Sequence, residues 1–158
     1  GMAWTILRPV FFMQSLLFFA DPIKTGKIIA ATGAGEVAFV DARDVAEVAA
    51  TVLAAPGEDA IHTLTGARAL SFAALAGLLS TALGRPVRHI SPPRWLARAA
   101  LPWLSGMPRW QSNMVVDLMA AIARGAQAVP TDDVPRILGR EARTIENFIA
   151  EQRAAFGG

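Results

Sequence analysis

The segment Trp4-Thr5-Ile6-Leu7-Arg8-Pro9-Val10-Phe11-Phe12-Met13-Gln14 carries the strongest structural signal in this chain. Trp4 to Leu7 reads as a short, buried, apolar strand. Arg8-Pro9 ends it, because a residue before proline is held extended and proline offers no backbone donor. Phe11 to Phe19 follows as an apolar helix, or a turn and a helix, stopped by Asp21-Pro22. The apolar run from Val10 to Ala20 is too short to span a bilayer. Arg8-Pro9 splits it from the apolar residues before it, which is not the layout of a signal peptide. Gly1 ahead of Met2 reads as a residue left by tag removal, so the chain is expected to open almost directly into a strand.

Downstream, Lys27 to Ala31 is expected as a strand, Thr32-Gly33-Ala34-Gly35 as a hairpin turn, and Glu36 to Val40 as a second strand. Asp41 is a helix N-cap, with Asp44 near the positive end of the helix dipole. Val45, Val48, Val52 and Leu53 form the apolar stripe of that helix, which Ala55-Pro56-Gly57 ends. Ile61 to Leu64 is a strand and Gly66 a turn. Ser71 caps a helix whose inner face is Phe72, Leu75, Leu79 and Leu83, with Gly84 and Pro86 as stop signals. Val87 to Ile90 is a further strand. This strand–helix–strand order predicts α/β packing with a parallel component. No strand signal follows Ile90. Arg94 to Leu104 is helical, and Met114, Leu118 and Ile122 mark another helix. Thr131 caps a short helix through Ile137. Thr144 caps the last one, with Ile145, Phe148, Ile149 and Phe156 inward.

Composition narrows the function classes. The 158 residues suffice for one domain, and 53% hydrophobic against 18% charged residues excludes a disordered chain. No cysteine is present, which excludes disulfides, thiolate metal sites and cysteine nucleophiles. No tyrosine is present, and two histidines are too few for a histidine-rich metal centre. The net charge of +2 is too small for a general polyanion binder.

Each candidate motif has a plain structural reading. Gly33-Ala34-Gly35 lacks the following helix that a phosphate loop needs. His62 and His89 have no partner carboxylate or nucleophile nominated by spacing. No serine lies in a Gly-x-Ser-x-Gly elbow. Asp132-Asp133 suits a helix start better than catalysis. Arg94, Arg98 and Arg109 with Trp95, Trp103 and Trp110 read as arginine stems packed on tryptophan faces. From the residues alone, the chain is an α/β domain with a helical cap and no catalytic constellation.

Three ordered stretches carry a family resemblance. They are Trp4 to Gln14; Ala38-Phe39-Val40-Asp41-Ala42-Arg43-Asp44-Val45-Ala46 with Leu64-Thr65-Gly66 and Leu83-Gly84-Arg85-Pro86-Val87; and Thr131-Asp132-Asp133-Val134 with Gly139-Arg140 and Thr144-Ile145-Glu146-Asn147-Phe148. Together they resemble the NmrA-like family, an atypical short-chain dehydrogenase/reductase group that binds NAD(P). The resemblance spans essentially the whole chain. It implies the C-terminal part of a Rossmann-like, doubly wound fold with few short strands and a helical C-terminal cap. Residues 1–91 are then the remnant of the NAD(P)-binding domain and residues 92–158 the substrate-side cap, forming one compact unit.

In that family the glycine-rich phosphate loop lies upstream of the Thr-Ile-Leu-Arg-Pro strand. The resemblance therefore implies the C-terminal half of such a protein, from a truncated, split or mis-started gene. It nominates Pro9, Val10, Phe11 and Phe12 as cofactor-binding wall, and Met13 and Gln14 as substrate pocket. It reads the Val40-to-Asp44 unit as caps and a local ion pair. It assigns no catalytic residue and no metal, and the Tyr-x-x-x-Lys pair of active relatives is absent. The implied function is part of an NAD(P)H-dependent oxidoreductase or redox-sensing regulator, located in the cytoplasm. NAD(P) is the cofactor of the complete protein, with none bound by this chain alone. The alternative is a non-catalytic oligomerisation module. The expected partners are a second copy burying the N-terminal strand and Phe11, Phe12, Phe18 and Phe19, and a small-molecule substrate in the complete protein. Neither nucleic acid nor membrane is expected.

Overall fold

The computed structural model describes residues 3–55 and 59–158. The first strand, β1, covers Thr5–Pro9. A 3-10 turn over Met13–Phe19 leads into α1, Ala20–Lys24. Asp21-Pro22 therefore does not stop a helix. Both residues sit in the first turn of α1, where a missing proline N–H costs nothing.

Strand β2, Lys27–Ile29, and β3, Glu36–Val37, do not form the expected hairpin. The turn itself exists: the Gly35 N–H donates to the Thr32 carbonyl at 2.9 Å and Gly33 has a φ of 57°. Long-range contacts pull its arms apart. The Gly33 N–H donates to Ser91 Oγ at 2.9 Å, and a Cβ on Gly35 would lie 2.3 Å from the Ile122 carbonyl oxygen. Helix α2, Ala42–Ala54, starts at Asp41, whose side chain accepts the Arg43 N–H. Val48 is buried with Val45 and Val52 beside it, but Leu53 is 86% exposed, because the buried arc of α2 is narrower than its apolar stripe. Of the Ala55-Pro56-Gly57 stop, Ala55 is the C-cap, while Pro56 and Gly57 lie outside the described residues.

Strand β4, Ala60–Leu64, pairs in parallel with β1, with Leu7 opposite His62. Strand β5, Leu70–Ser71, pairs antiparallel with β3. Ser71 caps α3, Phe72–Leu83, and Gly84 closes it at a φ of 66°. Strand β6, Arg88–Ile90, pairs in parallel with β2. The parallel component is therefore present in two strand pairs, each joined by helical crossovers. Helix α4, Arg94–Ser105, and α5, Arg109–Ala123, form a hairpin around Gly106. Helix α6, Asp133–Leu138, and α7, Ile145–Glu151, complete the chain with a 3-10 turn over Arg153–Phe156.

The main core gathers Phe11, Phe39, Phe72, Leu75, Leu79 and Ile149, so residues from both ends of the chain share one interior. Phe72 meets Phe11, Phe19 and Phe39 edge to face, with ring centroids 5.7–6.3 Å apart. A smaller core under β1 and β4 holds Val40, Val48, Leu64 and Val134.

Several expectations fail for tertiary reasons. Strand β1 is not buried on both faces. Leu7 packs on the smaller core, but Trp4 and Ile6 are 47% and 45% exposed, because one face of the β1–β4 pair has no covering layer among the described residues. In α5 the buried residues are Ser112, Val116, Met119, Ala120 and Ile122, while Met114 is 63% exposed. Both sets have helical spacing, and packing selects between them. Thr131 is not a cap. Asp132 takes that place without a side-chain bond, and Thr131 Oγ1 donates to the Thr63 carbonyl. Arg94 and Arg98 pair with Asp117 rather than covering tryptophan faces, and Trp95, Trp103 and Trp110 stay exposed.

Candidate functional site

The carboxyl ends of β1 and β4 form one rim. The Val10 N–H donates to the Leu64 carbonyl at 3.1 Å. The chain then runs parallel to Val40: the Val40 N–H donates to the Phe11 carbonyl at 3.1 Å and the Met13 N–H to the Val40 carbonyl at 2.9 Å. Gln127 ties the rim from the C-terminal region. Its Oε1 accepts the Phe11 N–H at 3.0 Å, and its carbonyl accepts the Ala38 N–H at 2.9 Å. Nothing in the sequence signals Gln127, since its partners lie far away along the chain. Gly66 closes the rim beside β4. Its N–H donates to the Ala38 carbonyl at 3.0 Å, and a Cβ there would lie 2.2 Å from the Phe39 carbonyl oxygen.

The rim separates the expected wall residues. Pro9 is exposed, and Val10 and Phe12 are half-buried. Phe11 belongs to the main core with its ring edge-on to Phe39 at 5.7 Å, and Met13 is buried beside it. Met13 also forms the floor of a cleft of ≈ 120 Å³ bounded by Phe39, Leu70, Arg143 and Ile145. Gln14 is engaged at the start of α2. It donates to Asp41 Oδ1 at 2.9 Å and accepts the Ala42 N–H at 3.0 Å. A second cleft of ≈ 330 Å³ opens beyond β4 between Thr65, Gly66, Thr131, Pro135 and Ala142. The two clefts meet at Gly66 and Ala67.

Asp41, Asp44 and Glu47 beside the rim are all paired with arginines. Burial of Asp41 opposes its ionisation. Hydrogen bonds from the Arg43 side chain and backbone and from Gln14 outweigh it and hold the pKa at about 2. Asp44 is buried at the start of α2 and accepts from Arg140 and from the Arg143 backbone, each at 2.8 Å. Glu47 is held below its usual pKa by hydrogen bonds from Arg140 and Arg143. The expected caps and ion pair at Val40 to Asp44 are present, and they extend into a network with the C-terminal region.

His62 has the carboxylate that spacing did not nominate. Its Nδ1 lies 3.5 Å from Asp133 Oδ1 and 3.4 Å from an Arg136 nitrogen. Burial opposes the charge of Asp133, but Arg136, the Thr63 N–H and His62 together lower its pKa. The ring is buried, so the cluster is a locked tie between β4 and α6. His89 lends Nε2 to the Ala30 carbonyl at 2.9 Å and lies against Phe72.

A nicotinamide-type ring fits this rim only in part. Pro9, Val10 and Phe12 offer an apolar edge at a strand carboxyl end, where doubly wound sheets place ligands. A dinucleotide's phosphates find no counterpart among the described residues, because Gly33-Ala34-Gly35 leads into β3 rather than a helix N-terminus. No group of three metal-ligating side chains occurs among the described residues.

Comparison with known proteins gives relatives in sequence and in fold. The chain is 41% identical over 159 residues to an NAD(P)H azoreductase from Xenophilus azovorans, covering 99% of this chain and 55% of that protein. It is 36% identical to the uncharacterized oxidoreductase YesF of Bacillus subtilis (strain 168), covering 96% and 54%. The chain thus spans about half the length of the curated relatives it matches. Among solved structures, the NADPH-dependent quinone oxidoreductase QOR2 of Escherichia coli, complexed with NADPH, superposes with a TM-score of 0.89 at 24% identity, covering 97% of this chain and 54% of that one. NmrA, a negative transcriptional regulator in complex with NAD, superposes at 0.68 with 15% identity, covering 96% and 52%. No family model matches the chain.

Proposed function

We propose, from an NmrA-like, Rossmann-like fold as premise, that these residues form the substrate-side half of an NAD(P)H-dependent oxidoreductase. The supporting observation is the position of Pro9, Val10 and Phe12 at the carboxyl end of β1, where Val10 bonds to Leu64 at the end of β4 and Phe12 runs beside Val40. In this reading the rim supplies an apolar edge for a cofactor ring. Gln127 positions the Phe11–Phe12 backbone. Met13 and Gln14 shape the floor, Met13 by contact and Gln14 through Asp41. Hydride chemistry is the property of the cofactor. In this reading the Gly33-Ala34-Gly35 turn, which leads into β3, supplies no phosphate cradle, and the chain by itself binds the dinucleotide weakly and is inactive. A cytoplasmic location belongs to the same reading. Calorimetric titration of NADPH and NADH into the pure chain tests it. Only weak heats are expected, and micromolar binding by a monomer overturns the half-protein reading.

A second reading rests on the open face of the β1–β4 pair. Trp4, Ile6 and Ile61 are 44–47% exposed there, an apolar strip suited to pairing with a second copy. In this reading the chain is a non-catalytic module that self-associates. Phe18 is 85% exposed and open to such a contact, whereas Phe11 is committed to the core. A clean monomer in light scattering at high concentration overturns it.

A further inference from the structure

We infer that the α4–α5 hairpin is a peripheral docking element for anionic membrane surfaces. The inference does not depend on the reading proposed above. Helix α4 contains no buried residue over its 12 positions. Trp95, Leu96, Ala99 and Trp103 fall within about a third of a turn at 100° per residue, forming one apolar stripe. Trp95 and Trp103 on that stripe are 72% and 83% exposed, and the neighbouring Leu104 is 82% exposed. Ala97, Ala100 and Leu101 are the half-buried face instead. Helix α5 repeats the arrangement: Trp110 and Met114, four residues apart, are 66% and 63% exposed, although the same helix buries Val116, Met119 and Ile122. Each helix of the hairpin therefore carries an uncovered apolar stripe at helical spacing. Three of the four tryptophans of the chain lie on it.

Charge identifies the occupant. From Arg94 to Arg124 the hairpin has four arginines against the single acid Asp117, a net charge of +3 where the whole chain carries +2. No acidic residue occurs from Ala60 to Val116. Trp and Leu on one face with arginine beside it is the composition of a helix lying in a bilayer interface, where tryptophan sits at headgroup level and arginine meets anionic lipid. A second copy is a poorer partner. A two-fold contact through these stripes brings Arg109, and Arg94 and Arg98 with one shared acid between them, toward the same groups of the other chain, a net positive charge on each side. A small molecule is also disfavoured, because the stripes are convex and neither cleft described above includes a residue of α4 or α5. No helix among the described residues is long and apolar enough to cross a membrane. From the sequence no membrane partner of any kind is expected, and the proposed hairpin lying on the surface departs from that expectation.

Flotation of the full chain with vesicles tests the inference, with tryptophan emission as a second readout. Vesicles of phosphatidylcholine plus phosphatidylglycerol are expected to bind the chain with a blue shift. Pure phosphatidylcholine vesicles bind it weakly, and added salt reduces binding to the anionic vesicles. The double variant Trp103→Asp, Leu104→Asp alters only strongly exposed positions and leaves the thermal melt unchanged. It is expected to lower vesicle affinity by about tenfold or more, since two large apolar side chains no longer enter the interface. Arg109→Glu is expected to weaken the preference for anionic lipid. Absence of binding to anionic vesicles, equal binding to both vesicle types, or unchanged binding by the double variant overturns the inference. A double variant that abolishes self-association while keeping vesicle binding also overturns it, in favour of a second copy.

Discussion

Asp44, in the first turn of α2, accepts a hydrogen bond from the Arg143 backbone N–H at 2.8 Å while wholly buried. The same carboxylate receives Arg140 at 2.8 Å and the Arg143 side chain. The N-terminal end of a helix is thereby bolted to the segment between α6 and α7. Replacing Asp44 by Ala strands the Arg143 N–H and leaves two guanidinium groups without their buried partner. The expected cost is about 3 kcal/mol, read as a lower urea midpoint at unchanged slope. Loss of less than about 1 kcal/mol refutes a structural role for this contact.

Asp41 governs part of the acid stability. Its pKa in the folded chain is about 2, below the ordinary 3.8. A depressed carboxyl stabilises the fold above its unfolded pKa and loses that contribution as pH falls through the folded value. Stability is therefore expected to decline between roughly pH 4 and pH 2, by about 2 kcal/mol from this group. The Asp41→Asn variant should show a shallower decline over that interval. Urea unfolding at several pH values measures both slopes, and identical slopes contradict the assignment.

Gly66→Ala is expected to be severely destabilising. The added methyl carbon meets backbone, the Phe39 carbonyl oxygen at 2.2 Å, rather than a side chain that could move aside. Either β4 or the Ala38–Val40 segment must shift. The expected loss is about 3 kcal/mol or more, or failure to fold at all. A melting temperature equal to the parent chain's would show that the close approach is relaxed in solution.

Gln127→Ala should loosen the rim without unfolding the chain. The Phe11 N–H loses its acceptor at part-buried depth. A cost of about 1–2 kcal/mol is expected. Hydrogen exchange at Phe11 and its neighbours should rise more than exchange in α3. Uniform acceleration across both segments would instead report global destabilisation.

Legibility in the sequence follows the range of the interaction. Ser71 and Thr144 cap their helices as their spacing implies, through bonds to N–H groups three residues on. Phe72, Leu75, Leu79 and Leu83 are all buried on one face of α3. Gly84 ends that helix in the left-handed conformation. The candidate site is less legible. The rim position of Pro9, Val10 and Phe12 follows from the strand and its parallel pairing. The role of Gln127 does not, because its bond to Phe11 spans 116 residues. The tie between His62 and Asp133 is equally hidden, since Asp133 also reaches the Thr63 N–H across 70 residues.

The sequence by itself determined the starts of α2, α3 and α7, the stop of α3 at Gly84, the α/β order and the apolar face of α3, because capping and periodicity act within a few residues. Tertiary structure alone decided that β2 and β3 part company to pair with β6 and β5. It also decided that α5 buries Val116 and Met119 instead of Met114, and that α4 buries nothing. An apolar stripe states only that a face can be covered. Whether it is covered depends on which surface reaches it, and that is set by contacts between residues far apart in the chain.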